Sequence, residues 1–136
     1  KRGELKMIYY DGDKQNPVEK GKFEIDEFGY YTIEQGEFYC FGNVKVKVKG
    51  NSDVFAYDCV EVRASDNVAV ITFDNVKVWA FENSVVKAYN DVKVSAYDNV
   101  KVSACDNSVV NANDNSEVWD YDNSVVIDYR EESICK

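Results

Sequence analysis

The sequence predicts an all-β fold, a parallel β-solenoid, and three observations support this prediction. Residues 42–129 repeat every eight positions without a gap or an insertion. Each unit joins a two-residue turn signal, usually Asp-Asn, to six residues that alternate with a period of two. The fifth position of the unit is Val in all eleven units, from Val46 to Val126. A strand and a corner repeated in this way build coils that stack on one another.

The N-terminal segment, residues 1–41, does not repeat and is expected to be an irregular β cap. The stretches "KMIYY", "GKFEI" and "GYYTI" are typical of short strands, and "KQNP" is interpreted as a loop between the first two. A weak trace of the repeat remains at 34–41, where Phe38 takes the Val position and Phe41 an aromatic position. Bulky residues in a degenerate unit suit a coil that covers an open solenoid end.

Within the repeat, each position has a predicted role. The first position is mostly Asp and the second mostly Asn, which favours a corner because Asn tolerates left-handed backbone angles and Asp accepts hydrogen bonds from nearby amides. Asn side chains stacked at the corners are expected to bond from coil to coil. Positions three, five and seven are small and mainly apolar, so they predict the core, and positions four, six and eight are expected to face outward.

The repeat is compatible with either two or three units per coil. Two units give a coil of 16 residues and a flat two-sheet roll, which is favoured because Val and Ala can fill the gap of about 10 Å between packed sheets. Three units give a triangular β-helix with 24 residues per coil, and its larger interior would leave voids. The outward aromatic pairs favour the triangle, because at a period of 24 they occupy two sides and avoid the third. Residues 130–136 are expected to be a short charged tail that hinders end-to-end association through the last strand edge.

Charge and composition restrict the function classes. The chain has 16 Lys and Arg against 25 Asp and Glu, a net charge of −9, so direct binding to nucleic acid or to an anionic membrane is not expected. A basic protein suits such a surface better. The four cysteines, Cys40, Cys59, Cys105 and Cys135, have irregular spacing and are interpreted as free thiols in a reducing compartment. The chain has no histidine, which excludes a zinc site, a Ser-His-Asp triad and a Cys-His pair.

The run "AYDNVKVSACDNSVVNANDNSEVWDYDNSVVIDY" resembles the octapeptide-repeat proteins of phages, prophages and gut bacteria, whose units read roughly Ala-Tyr-Asp-Ser/Asn-Ala-x-Val-x. The resemblance covers residues 42–129, and this chain departs from the pattern by placing Val or Ser where Ala is common. It implies the solenoid architecture and a phage or bacterial origin, and it implies no activity. The expected location is the cytoplasm, that of the host cell if the gene belongs to a phage, with the cell surface as the alternative.

A candidate binding surface follows from the acidic and aromatic residues. No Lys or Arg lies between Lys101 and Arg130, and Asp120 and Asp128 replace the Ala of position seven, so either the final coils open or these residues form a contact surface. Exposed Trp and Tyr side chains are enriched at binding hot spots. The predicted surface consists of Asp106, Asp114, Asp120, Asp122, Asp128, Trp79, Trp119 and Tyr121. Calcium between coils is not expected, because glycine is absent from residues 51–136, and no other cofactor is predicted.

The predicted function is non-catalytic, because a uniform ladder of carboxylates offers no unique pocket. The first hypothesis is a solenoid that presents an acidic, aromatic-rich surface to a macromolecular partner. The alternative is a nucleic-acid mimic that inhibits a basic DNA- or RNA-binding host defence protein, as a phage counter-defence factor would. A surface adhesin or stalk is the third hypothesis.

Overall fold

The computed structural model describes residues 7–11, 14–18, 23–25 and 29–129, and all the secondary structure that it contains there is β. The strands are β1 (Met7–Asp11), β2 (Lys14–Val18), β3 (Phe23–Ile25), β4 (Gly29–Cys40), β5 (Val44–Ala56), β6 (Glu61–Ala64), β7 (Ala69–Thr72), β8 (Lys77–Ala80), β9 (Val85–Ala88), β10 (Lys93–Ala96), β11 (Lys101–Ala104), β12 (Val109–Ala112), β13 (Glu117–Asp120) and β14 (Val125–Asp128). Every pairing among strands β4 to β14 is parallel.

The repeat winds into a two-sheet roll of about six turns with 16 residues per coil, which confirms the favoured coil and makes the triangular alternative wrong. Each strand pairs with the strand two units later, so Val62 lies beside Val78 and Val78 beside Val94. One side, here called sheet I, contains the second half of β5 with β7, β9, β11 and β13. The other side, sheet II, contains the first half of β5 with β6, β8, β10, β12 and β14. The long strands β4 and β5 pass from sheet II round a corner into sheet I.

The core is a single column of small apolar side chains between the two sheets. Val at position five and Ala at position seven are almost fully buried from β5 to β12, and position three contributes further buried Val and Ser. Buried serines bond within their own coil, as when Ser84 Oγ donates to the carbonyl of Phe81 at 2.9 Å. The predicted inward and outward positions are confirmed. Val and Ala suffice as filling because only the distance between two packed sheets has to be spanned.

The N-terminal strands extend the stack. In β4, Phe38 lies beside Val54 and is fully buried, so it does take the Val position. β1 pairs antiparallel with β4 and also with β2. The stretch "KQNP" is therefore strand β2 and not a loop, because its backbone continues the hairpin, and Pro17 is tolerated on a strand that pairs only with β1 in the described part of the chain.

At the C-terminal end of the roll the core column opens. Strands β13 and β14 each have one parallel neighbour among the described residues, β11 and β12 respectively. Asp120 and Asp128 stand in the inward column where Ala104 and Ala112 are buried, and both are exposed. The tail at 130–136 lies outside the described residues.

Candidate functional site

The corners of the roll are built by the first residue of each unit. This residue has a positive φ in every unit from Asp58 to Asp122, with values of 56 to 66°. The prediction that Asn at position two takes the left-handed angle is wrong. The Asp is favoured there because its short polar side chain tolerates the left-handed region and then reaches an amide.

That amide belongs to the neighbouring coil. From Asp58 onward, a side-chain oxygen of each first-position residue accepts a hydrogen bond from the backbone N–H of the first-position residue 16 positions earlier, as from Asp58 N to Asp74 Oδ2 at 3.1 Å. The acceptor is a carboxylate oxygen except at Asn90, where it is the amide oxygen. Nine such bonds join the described coils, at 2.6 to 3.1 Å. The expected coil-to-coil bonding by Asn side chains is replaced by this bonding from carboxylate to backbone, because the Asn side chains point into solvent.

Two rows of carboxylates result, one on each narrow edge of the roll. Edge I contains Gly42, Asp58, Asp74, Asn90, Asp106 and Asp122, and edge II contains Gly50, Asp66, Glu82, Asp98 and Asp114. Each row begins with glycine. At Gly50 a Cβ atom would lie 2.6 Å from the carbonyl oxygen of Glu34, so no larger residue fits there.

The part of edge II from Gly50 to Asp98 lines an open groove of about 650 Å³. The pKa of Asp66 in this row is lowered, first by the amide of Gly50 and then by the Glu82 carboxyl and the charge of Lys49. The stabilisation that Asp66 provides is therefore present above the ordinary carboxyl range and is lost as the pH falls through its lowered pKa. The carboxylates of edge II therefore stabilise the stacking of the coils as well as forming an exposed surface.

Aromatic rings at position eight stack beside the same edges. Phe41, Tyr57, Phe73 and Tyr89 form one column with centroid distances of 4.9, 5.1 and 5.2 Å between successive rings. Phe81 and Tyr97 form a shorter column at 5.0 Å near edge II. These rings are half-buried, so they cover the ends of the core and strengthen the stacking of coils.

The structure brings together most of the predicted binding surface at the C-terminal end. Trp119 and Tyr121 are 46% and 53% exposed there, beside Asp120 and Asp122 on β13 and the following corner. Asp128 lies on β14, the last strand of sheet II, and like Asp120 it occupies an inward position of its strand, whereas Trp119 occupies an outward position of sheet I. Asp122 is also joined to the preceding coil, since it accepts the N–H of Asp106 at 3.1 Å.

Two of the predicted residues lie elsewhere. Asp114 belongs to edge II, on the opposite side of the roll from Asp106 and Asp122 on edge I. Trp79 lies several coils away on sheet II, where the guanidinium of Arg63 is 5.2 Å from its ring centroid. The eight predicted residues are therefore not one continuous surface.

Sequence reasoning missed how charge is distributed around the roll. Along sheet II from Lys45 to Ala96, positions four and six carry five cations, Lys45, Lys47, Arg63, Lys77 and Lys93, and a single carboxylate, Glu61. The carboxylates lie mainly on the two edges. Alternate units of the sequence belong to opposite sheets, so the separation of cations from carboxylates is visible only when the sequence is aligned with a period of 16. Alignment with a period of eight mixes the two sheets and hides it.

On sheet I, a pair of carboxylates faces each other across β4 and β5. Glu37 lies directly beside Asp53 in register, and the pKa of Asp53 is raised, first by partial burial and then by the charge of Glu37. Like charges directly opposite in a sheet are destabilising. This pair should therefore weaken the stack at neutral pH.

Asp53→Asn is expected to raise the Tm at pH 7. A raised pKa means that the folded state binds the proton more tightly, so the stability from this group is present in acid and is lost as the pH rises through the raised pKa. The gain should therefore be visible at pH 7 by circular dichroism and should vanish near pH 3.5. Asp91→Asn at an exposed corner is the matched control and should shift the Tm little. A lower Tm for Asp53→Asn at pH 7 would contradict this account.

The three cysteines that the structure describes are free thiols. Cys40 is buried, and burial raises its pKa to about 12. The pKa of Cys105 is also raised, by burial and by the charges of Asp122 and Asp106, whereas Cys59 lies exposed on edge I. A thiol with a raised pKa is a poor nucleophile. Cys40 and Cys105 are thus not suited to covalent chemistry, and Cys135 lies outside the described residues.

Within the described ranges, His, Cys, Asp and Glu side chains form no cluster of three that could hold a metal ion. The same ranges contain no helix long and apolar enough to cross a membrane. Comparison of the chain with protein-family models, with curated proteins and with solved structures gave no match.

Proposed function

We propose that this chain is a non-catalytic β-solenoid that binds a basic protein through the acidic and aromatic surface of its C-terminal coils. The observation that carries the proposal is that the last coil of the roll exposes two aromatic side chains, Trp119 and Tyr121, and three carboxylates, those of Asp120, Asp122 and Asp128. Trp and Tyr supply rigid contact area, and the carboxylates suit Lys and Arg of a partner. Residues 102–129 contain no Lys or Arg, so this surface has no cation of its own to compete.

The resemblance of the repeat to octapeptide-repeat proteins supports a phage or bacterial setting for this interaction. In that setting the partner belongs to the bacterial cytoplasm, or to the cell surface if the chain is exported. A basic nucleic-acid-binding protein is the class that the charge of this surface fits best.

A matched pair of charge variants tests the proposal. The triple variant Asp120→Asn, Asp122→Asn and Asp128→Asn removes three carboxylates from the C-terminal end, and Glu37→Gln, Asp53→Asn and Asp91→Asn removes three from other parts of the roll. Immobilised protein is incubated with bacterial lysate at low salt, captured basic proteins are purified, and Kd is measured. We expect the C-terminal triple to weaken binding by roughly tenfold or more and the control triple by much less. Equal losses, or no captured basic protein, would refute the proposal.

A second candidate, mimicry of nucleic acid, is supported by the two carboxylate rows. From Asp58 onward each row places one carboxylate per coil, about 4.8 Å along the axis, except at Asn90, so the two rows together carry roughly one acidic group per 2.4 Å outside that position. Double-stranded DNA carries one charge per about 1.7 Å, which is a comparable density. Competition decides between the candidates: a mimic is displaced from its partner by a DNA duplex at low salt, and a partner that binds DNA and this chain together excludes mimicry.

A further inference from the structure

The outward face of sheet II, here called the basic face, stands out in a chain of net charge −9. It carries Lys45, Lys47, Arg63, Lys77 and Lys93 between the two acidic edges. Cations scattered for solubility would be spread among carboxylates on a roll so rich in acid. Here five of them lie on one side of the molecule within four successive coils.

Several of these cations oppose each other directly. Lys47 lies beside Arg63 in register, and Lys77 lies beside Lys93. Directly opposed like charges destabilise a sheet. Among the residues that the structure describes, the ion pairs join Lys45 to Glu61 at 3.8 Å and Lys49 to Glu34 at 3.6 Å. Lys47, Arg63, Lys77 and Lys93 form no ion pair there, but Glu61 lies directly beside Lys77 in register. The charges of Lys47 and Arg63 are therefore the most available to an anion from outside.

Two aromatic rings accompany the cations. Lys45 Nζ lies 5.3 Å from the ring centroid of Tyr30, which is 59% exposed, and the Arg63 guanidinium lies 5.2 Å from that of Trp79. Tyr30 and Trp79 stand on strands three steps apart, about 14 Å along the axis. Together with Lys47 and Glu61 they line a cleft of about 420 Å³, a volume within the range of small-molecule sites.

We propose that this cleft binds a nucleotide, that is, a ligand that joins a planar ring to a phosphate. The Arg63 guanidinium and the Lys47 ammonium recognise the phosphate, since charge-assisted hydrogen bonds from Arg and Lys are the strong interactions available to it. The planar base stacks on Trp79 or Tyr30, and because every base has an aromatic face the site discriminates little between bases.

The surroundings favour a short ligand over a long strand. Rows of carboxylates on edges I and II run along both sides of the basic face, and the total charge of the chain repels a polyanion. The patch of cations also ends at Lys93, after which Val109 and Val125 take the same outward position. A single nucleotide fits between these boundaries. This site is independent of the C-terminal surface proposed above.

Titration calorimetry at low salt tests the inference with AMP, UMP, adenosine, inorganic phosphate and an eight-base single-stranded DNA as probes. We expect saturable binding of AMP and UMP with similar Kd, and much weaker binding of adenosine or phosphate alone. Lys47→Gln with Arg63→Gln should weaken AMP binding by roughly tenfold or more. Lys87→Gln with Lys101→Gln, on the outward face of sheet I, removes the same charge and should change it by less than about twofold. Trp79→Leu should weaken AMP and leave phosphate unchanged.

Each contrary outcome overturns a stated part of the inference. Absence of saturable AMP binding, or equal loss in the two double variants, removes the site. Phosphate that binds as tightly as AMP removes the role of the aromatic rings. A DNA octamer that binds far more tightly than AMP assigns the face to a single strand in place of a nucleotide. Circular dichroism of each variant checks that the coils remain folded.

Discussion

Ala80→Asp is expected to unfold the central coils of the roll. Ala80 is fully buried in sheet II between Ala64 and Ala96, so an Asp side chain there would lie in the dry core without a partner. An uncompensated buried charge costs on the order of 3–5 kcal/mol, which corresponds to a fall in Tm of roughly 10 °C or more. Each coil depends on its neighbours, so the damage should spread beyond one coil. Thermal circular dichroism measures it.

Two comparisons separate charge from size at this position. Ala80→Val adds volume without charge and should lower the Tm by less than Ala80→Asp, because overpacking by two methyl groups costs about 1–3 kcal/mol. Asp120 occupies the same position of the unit at the exposed end, and Asp120→Ala should leave the Tm nearly unchanged. A Tm of Ala80→Asp within a few degrees of the parent would contradict this account, because it would mean that water reaches the core column of Val and Ala side chains.

Substitution of Asp74 tests the carboxylate row. Asp74 has a φ of 64°, accepts the N–H of Asp58 at 3.1 Å and donates its own N–H to Asn90 Oδ1 at 3.0 Å. Asp74→Ala removes the hydrogen-bond acceptor for the N–H of Asp58. It also holds an alanine in the left-handed region, and this backbone strain alone costs about 1–2 kcal/mol. We expect its Tm to fall by roughly 5–10 °C.

The controls for Asp74 divide the effect into its two causes. Asp74→Asn keeps both the tolerance of a positive φ and the acceptor, as Asn90 does in the next coil, so it should melt close to the parent. Asp74→Gly removes the acceptor without backbone strain, so its Tm should lie between the Tm values of Asp74→Asn and Asp74→Ala. If Asn lowered the Tm as much as Ala, the negative charge itself, and not hydrogen bonding, would hold the coils together.

These expectations change the interpretation of the acidic residues. Much of the negative charge of the chain serves the fold, because the first-position carboxylates bind the amides of neighbouring coils through one oxygen. Their second oxygen remains available to solvent or to a partner. At the C-terminal end Asp122 also makes this contribution, whereas Asp120 and Asp128 occupy positions of the opened core column.

The sequence by itself determined the repeating unit of this protein. Strict alternation with Val at position five and Ala at position seven leaves only one face of each strand apolar, so the inward and outward residues follow directly. Asp120 and Asp128 replace the Ala of position seven at the end of the chain's repeat, and the core column opens there because a charged side chain favours contact with water over a dry apolar interior.

The tertiary structure decided how the units are arranged in space. A period of eight does not specify how many units close a coil, and this depends on whether Val and Ala can fill the interior, which they do between two sheets. Closure at 16 residues then sorts odd and even units onto opposite sides. That sorting separates Asp114 from Asp106 and Asp122, removes Trp79 from the C-terminal surface, and gathers the cations on one face. The side chains of position one, and not the Asn side chains of position two, join the coils, because only position one takes the left-handed angle that points its side chain at the neighbouring amide.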